Sequence, residues 1–205
     1  MTSGLLWASS LKSPSLRERD LVAKTFADVI ALHERVRTAD SRPVVDAAHA
    51  IIASIRGGGK LLAFGNGGSA ADAQHMAAEL VGRFLRERQG LAAVALTTDA
   101  SVLTSVANDS GFERVFARQV EALGRPGDVA LGISTSGQSA NVIAAFVAAT
   151  ARQVRTIALT GRDGGGVGRA ADIHINVPSD STPRVQEVHR TLLHVICDLV
   201  ERAFV

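Results

Sequence analysis

Asp72, His75 and Glu79 are spaced i, i+3, i+7, so on a helix they share one face. An imidazole and a carboxylate one turn apart can act as a base beside its partner, or place a nitrogen and an oxygen on one metal ion. The same pair is also a common exposed ion pair. Far along the chain, Gln186, Arg190 and His194 form a second ladder at i, i+4, i+8, with His189 beside it as a weaker candidate. Nothing in the spacing says that the two ladders meet.

The first ladder follows a loop suited to an anion. Gly65-Asn66-Gly67-Gly68-Ser69 stands between an apolar run, Leu61 to Phe64, and a helix-like run, Ala70 to Phe84. A strand, a glycine-rich turn and a helix start aim backbone N–H groups at a charged ligand. A second loop has the same setting. Ser134-Thr135-Ser136-Gly137-Gln138-Ser139 links an apolar strand to a helix, and its hydroxyls suit a phosphate dianion. Ser139 as a plain N-cap, with the others filling a turn, is the simpler reading of such a loop taken alone. No GxxxxGK[ST] pattern occurs, which disfavours a nucleoside triphosphate. A third turn, Thr160 to Gly166, reads as structural.

The elements that must position these residues alternate. Strands are expected at Leu61–Phe64, Ala92–Leu96, Asp128–Ile133, Arg155–Leu159 and Ile173–Val177. Helices are expected at Ala70–Phe84, Ala100–Ala107, Val115–Leu123, Ala140–Ala151 and Arg184–Phe204. Continuous apolar strands separated by helices imply a parallel α/β sheet buried on both faces. Ligands of such sheets bind at the carboxyl ends of the strands, which is where both loops lie. Two amphipathic helices, Ser15–Val36 and Arg42–Arg56, precede the alternation, and a partner subunit could cover their apolar faces. Residues 1–14 are Ser-rich, poorly patterned and expected to be partly disordered.

The chain of 205 residues suits one domain, residues 15–205, with no linker to split it. Its 22 Lys+Arg against 20 Asp+Glu, with no basic run, and its 4% aromatics argue against a nucleic-acid partner. The one cysteine, Cys197, excludes a disulfide framework and reads as a core thiol. No signal peptide and no apolar run of membrane-spanning length are evident, so a cytoplasmic protein without a membrane partner is expected.

Taken in order, Gly65-Asn66-Gly67-Gly68-Ser69, the segment Asp72 to Glu79, Val106-Ala107-Asn108-Asp109, Ser134 to Ser139 and Arg184 to His189 resemble the phosphoheptose (sedoheptulose 7-phosphate) isomerases, a branch of the sugar isomerase (SIS) domain proteins. The resemblance runs from about Asp20 to Phe204. It implies a flavodoxin-like, three-layer α/β fold with a five-stranded parallel sheet, N-terminal helices (15–56) used for oligomerisation, and a homotetramer with active sites between subunits. It implies conversion of D-sedoheptulose 7-phosphate to D-glycero-D-manno-heptose 7-phosphate, the first step toward nucleotide-activated heptose.

The resemblance also implies site roles. Ser134, Thr135, Ser136 and Ser139 would hold the phosphate. Asn66, Gly67, Gly68, Ser69, Asn108, Asp109 and Gln186 would contact substrate. One zinc ion per subunit would be held by His75, Glu79, Gln186 and His194, with Asp72 assisting the site. Thr182-Pro183 departs from members that carry an acidic residue there. A ketose–aldose shift needs a base for a carbon-bound proton and an acid for the oxygen, and Glu79 and His194 are the natural pair. Two rival readings share the fold. One is a related group of adaptors for the replication initiator DnaA, which lack the counterparts of Glu79 and His194. The other is a SIS isomerase or sensor for a different sugar phosphate.

Overall fold

Five apolar runs form one parallel sheet in the computed structural model, which describes residues 15–205. The strands are β1 (Leu61–Gly65), β2 (Ala93–Ala95), β3 (Val129–Ser134), β4 (Arg155–Gly161) and β5 (Ile173–Val177), in the order β2-β1-β3-β4-β5. This is the flavodoxin-like order, whose ligand crevice lies at the switch point between β1 and β3. Strands β1 and β3 pair directly from Leu61↔Val129 to Gly65↔Ile133, so the two loops that follow them are neighbours. The expectation for residues 1–14 lies outside the described residues.

Alternate side chains of each strand feed two cores, as the pleat requires. Leu61, Ala63, Leu131 and Ile133 face a layer made of α1 (Leu16–Arg37), α2 (Arg42–Arg56), α3 (Gly68–Val81) and α8 (Thr182–Arg202). Leu62, Phe64 and Ala130 face α4 (Ala100–Ser110), α5 (Ala117–Leu123), α6 (Ala140–Ala151) and α7 (Gly165–Arg169). Helices α3 and α8 therefore pack side by side on one face, although the sequence places them at opposite ends of the alternation. Cys197 is buried between them, its Sγ 3.2 Å from Met76 Sδ, and burial pushes the thiol up to about 12. It is a core thiol.

Four differences from the sequence expectation bear on the site. Helix α3 stops at Val81 rather than Phe84. Gly82 ends it, and the Arg88 guanidinium takes the carbonyls of Glu79 (2.7 Å), Leu80 (2.8 Å) and Gly82 (3.0 Å), so the next turn cannot form. Phe84 nevertheless packs inward, which explains why its spacing imitates a longer helix. Helix α8 begins at Thr182, with Pro183 in its first turn, and ends at Arg202. Helix α5 begins at Ala117, after a 3₁₀ turn over Phe112–Arg114. The third turn carries the short helix α7. Val167 N–H donates to Gly137 O at 2.9 Å, so this segment supports the serine loop from below.

Candidate active site

Gly67 is the N-cap of helix α3, and its φ of 57° lies where glycine is favoured. Gly68 follows, and a Cβ there would collide with the Gln186 amide. This close approach brings the Gln186 amide over the start of α3. Two turns on, the ladders meet. His75 Nε2 lies 2.7 Å from His194 Nε2 and 3.3 Å from Glu79 Oε1. The donor atoms of His75, Glu79 and His194 all fall within 4.8 Å of one another, and all three come from one chain.

Two imidazole nitrogens this close permit only two arrangements. Either one carries a proton that the other accepts, or both lone pairs face a cation. Burial holds His75 below the usual histidine range, and the Arg190 charge pushes the same way, partly countered by Glu79. A neutral imidazole is the ligand form. Two imidazoles with one carboxylate suit zinc. The residues present therefore fit that ion.

Asp72 sits one turn before His75 and is buried. Its Oδ1 accepts from Arg190 Nε (2.9 Å) and Nη2 (2.5 Å), while Oδ2 is buried without a partner. A pocket opens here, lined by Gly68, Asp72, Gln186, Glu187 and Arg190. Gln186 thus stands at the N-terminal end of α3, beside the pocket. His189 is fully buried, bonds through Nε2 to Thr160 O at 2.9 Å, and is a core histidine.

The serine loop lies one strand away. Ser134 Oγ is 2.8 Å from Ser139 Oγ and 3.4 Å from Ser136 Oγ. Ser139 occupies the N-cap of α6, yet its hydroxyl bonds no backbone N–H of that helix. The side-chain capping reading therefore fails. Val142 N–H donates to the Ser139 carbonyl at 3.1 Å, while the N–H groups of Ala140 and Asn141 remain for another acceptor. Thr135 is half-buried in the same turn. The two loops are joined by a side-chain amide pair, Asn66 and Asn141, which exchange two hydrogen bonds of 2.9 Å. The sequence reading missed Asn141. Its only signal was an amide in the first turn of a helix that is otherwise nearly all apolar.

Ser69 is buried at the start of α3. Asn108 and Asp109 do not join the cluster. They are exposed at the end of α4 and bond to each other at 2.8 Å.

Residues 25–161 match the SIS-domain family model. This span is about two thirds of the chain. The chain belongs to the SIS-domain family. Within it, relatives 49–60% identical to this chain are phosphoheptose isomerases. One from Geotalea daltonii is 58% identical over 161 residues, covering 78% of this chain and 84% of the relative. The structure of a phosphoheptose isomerase from Neisseria gonorrhoeae superposes with a TM-score of 0.85 at 50% identity, covering 92% of this chain and all of that one. A Francisella tularensis phosphoheptose isomerase gives a TM-score of 0.87 at 37% identity, with 90% and 98% covered. The five-stranded parallel SIS fold and membership among the phosphoheptose isomerases are thereby established.

Proposed function

We propose that this chain interconverts D-sedoheptulose 7-phosphate and D-glycero-D-manno-heptose 7-phosphate through an enediol. The observation that carries this reading is the meeting of Glu79 and His194 through His75, on two helices, α3 and α8, whose N-terminal turns approach each other at Gly68 and Gln186 beside the loop after β1. The serine loop and the N–H groups of Ala140 and Asn141 at the start of α6 bind the phosphate. Asn66, Gly67, Gly68, Ser69 and Gln186 hold the hydroxyl-bearing chain, and the Asn66–Asn141 pair keeps the two loops in register. Asn108 and Asp109 reach substrate from the end of α4. Glu79 takes the proton bound to carbon, and His194 supplies one to the neighbouring oxygen. Asp72, held by Arg190, supports this arrangement from beneath His75.

His75, Glu79 and His194 would hold a zinc ion, which when bound supplies Lewis-acid polarisation of the sugar carbonyl. Ligation would occupy the same atoms of Glu79 and His194 that move protons, so the two roles alternate. Gln186, the fourth ligand that the resemblance implies, stands beside Gly68. The apolar face of α1 favours assembly. Leu21, Phe26 and Ile30 are exposed there, each by more than half, and a groove between α1, α2 and α8 continues the patch. A homotetramer is the assembly we propose, with neighbouring subunits completing the substrate pocket around a cluster that each chain builds itself. No described helix is long and apolar enough to cross a membrane, which agrees with a cytoplasmic enzyme.

The test is incubation with sedoheptulose 7-phosphate in deuterated water, with and without zinc. Deuterium at C1 and C2 supports the proposal. Exchange only with fructose 6-phosphate would move the assignment to a hexose enzyme. The adaptor reading gains nothing here, because Glu79 and His194 are both present and adjacent.

A further inference from the structure

Glu201 lies near the end of α8, fully buried, on a chain face that the proposed reaction leaves unused. Its Oε1 accepts the backbone N–H of Phe84 at 2.9 Å. Its Oε2 accepts those of Leu85 at 2.8 Å and Arg86 at 2.9 Å. Arg88 Nε is 3.4 Å from Oε1, and Arg86 Nη1 is 3.5 Å from Oε2. Burial alone would favour the protonated acid, but the three N–H groups and Arg88 outweigh it and hold the carboxyl below its usual range. A charged group is thus retained in the interior, where it costs stability unless its partners are complete.

What the carboxylate holds is the segment just after α3. Two parts of that segment touch the site. The Phe84 ring centroid lies 5.4 Å from that of His194. Arg88 bonds the carbonyl of Glu79 itself and the two that close the helix. Glu201 and His194 are i+7 and i on one helix, so they share a face. A single side chain thereby ties the end of α8 to the end of α3, the two helices that supply the cluster.

We propose that Glu201 is a positioning residue for the His75–Glu79–His194 cluster: it seats Phe84 against His194 and, through Arg88, fixes the end of α3 that carries Glu79. The inference rests on the proposed function only in taking this cluster as the working site. Residues that orient metal ligands from behind are worth 10–100-fold in affinity when lost. Glu201→Gln keeps the volume but turns one acceptor into an amide facing backbone donors. Phe84→Leu leaves every backbone bond to Glu201 and removes only the ring against His194.

Cobalt(II) added alone, followed by its visible absorption, reads the cluster without substrate. Imidazole nitrogen resonances of the metal-free protein read the His75–His194 contact. Asp128→Asn serves as the comparison. Asp128 is also deeply buried and accepts from Lys60 N, Lys60 Nζ and Arg125 N at 2.6–2.9 Å, but none of these donors lies on α3, on α8 or on the segment Phe84 to Arg88. We expect Glu201→Gln to weaken cobalt binding about 10–100-fold and to separate the His75 and His194 resonances. Phe84→Leu should shift both readouts in the same direction by a smaller factor. Asp128→Asn should lower the melting temperature and move neither. If Glu201→Gln does not fold, Phe84→Leu decides alone. Wild-type cobalt affinity and wild-type imidazole resonances in the folded variants would overturn the inference. If the wild-type protein binds no cobalt, the metal part of the proposed function fails, and the resonances still decide on Glu201.

Discussion

Arg190 on α8 gives both of its hydrogen bonds to a single oxygen, Oδ1 of Asp72 on α3, at 2.9 and 2.5 Å, and leaves Oδ2 buried and unbonded. The pair is a second tie between the helices, one turn from the first. The two residues differ in exposure. The Asp72 side chain is 4% exposed and that of Arg190 40%. Asp72 therefore depends on Arg190 more than the reverse. Arg190→Met should leave a buried carboxylate without its cation and cost about 1–3 kcal/mol in urea unfolding. Asp72→Asn should cost less. A double-mutant cycle should return a coupling of about 1 kcal/mol or more, and additive losses would show that the pair does not act as a unit.

Glu79 and His194 test the proton-transfer assignment directly. Glu79→Gln and His194→Asn each preserve shape while removing a group able to take or give a proton. Each should lower deuterium exchange into sedoheptulose 7-phosphate by about 10²–10⁴-fold, with an unchanged melting transition. Wild-type rates in Glu79→Gln would end the role given to that carboxylate.

The metal reading makes a separate demand on His75. It neither gives nor takes a proton in the proposed reaction, so its replacement acts through ligation. His75→Ala should weaken zinc binding in calorimetry by at least about 10-fold. Excess zinc should then restore part of the lost exchange activity. Restoration would not occur if His75 served only to pack against His194.

The sheet was legible because its central strands β1 and β3 are buried throughout. Leu61, Leu62, Ala63 and Phe64 are all fully buried, so no alternation was needed to recognise a strand covered on both faces. The two anion loops were legible from glycine and hydroxyl residues at strand ends. The meeting of His75 with His194 was not, since local spacing carries no information about which helices pack together. It follows from the order β2-β1-β3-β4-β5, which puts α3 and α8 on one face. The end of α3 was misread for a related reason. Phe84 keeps helical spacing, but a distant carboxylate, Glu201, takes its N–H and that of the next two residues. Tertiary bonding overrode the local pattern. Asn108 and Asp109 were named by resemblance alone, and within one chain they stand apart from the cluster.

Acid stability follows from two buried groups on α8. Burial holds His189 below the usual histidine range, and its bond to Thr160 O only partly opposes this. The unfolded chain protonates this histidine near pH 6.5 while the folded chain does not, so the stability it contributes is complete above that pH and is lost as pH falls toward the folded value. Glu201, held low in the fold, contributes stability that is complete above the ordinary glutamate range near 4.3 and is lost as pH falls below it. Unfolding free energy should therefore decline in two stages on acidification. His189→Gln should shrink the upper stage, to which partly buried His75 and His174 also contribute, and leave the lower one. A single decline below pH 5 in the wild-type protein would contradict the histidine contribution.

Gly68 offers the last test, because it separates the site from the fold. A methyl group there meets no backbone; it meets the far end of the Gln186 side chain. That amide can swing away at little cost in stability, and Ala is a better helix former than Gly by about 1 kcal/mol. Gly68→Ala should thus leave the melting temperature unchanged or raised. It should nevertheless raise KM for the sugar phosphate, since Gln186 is moved out of the pocket it shares with Asp72 and Arg190. Gly132→Ala makes the contrast, because its methyl would strike the Phe146 ring and Val142 in the core. It should cost about 1–3 kcal/mol and reduce the yield of folded protein. A Gly68→Ala variant that lost stability but kept its KM would mean that the close approach of α3 and α8 serves packing and not the pocket.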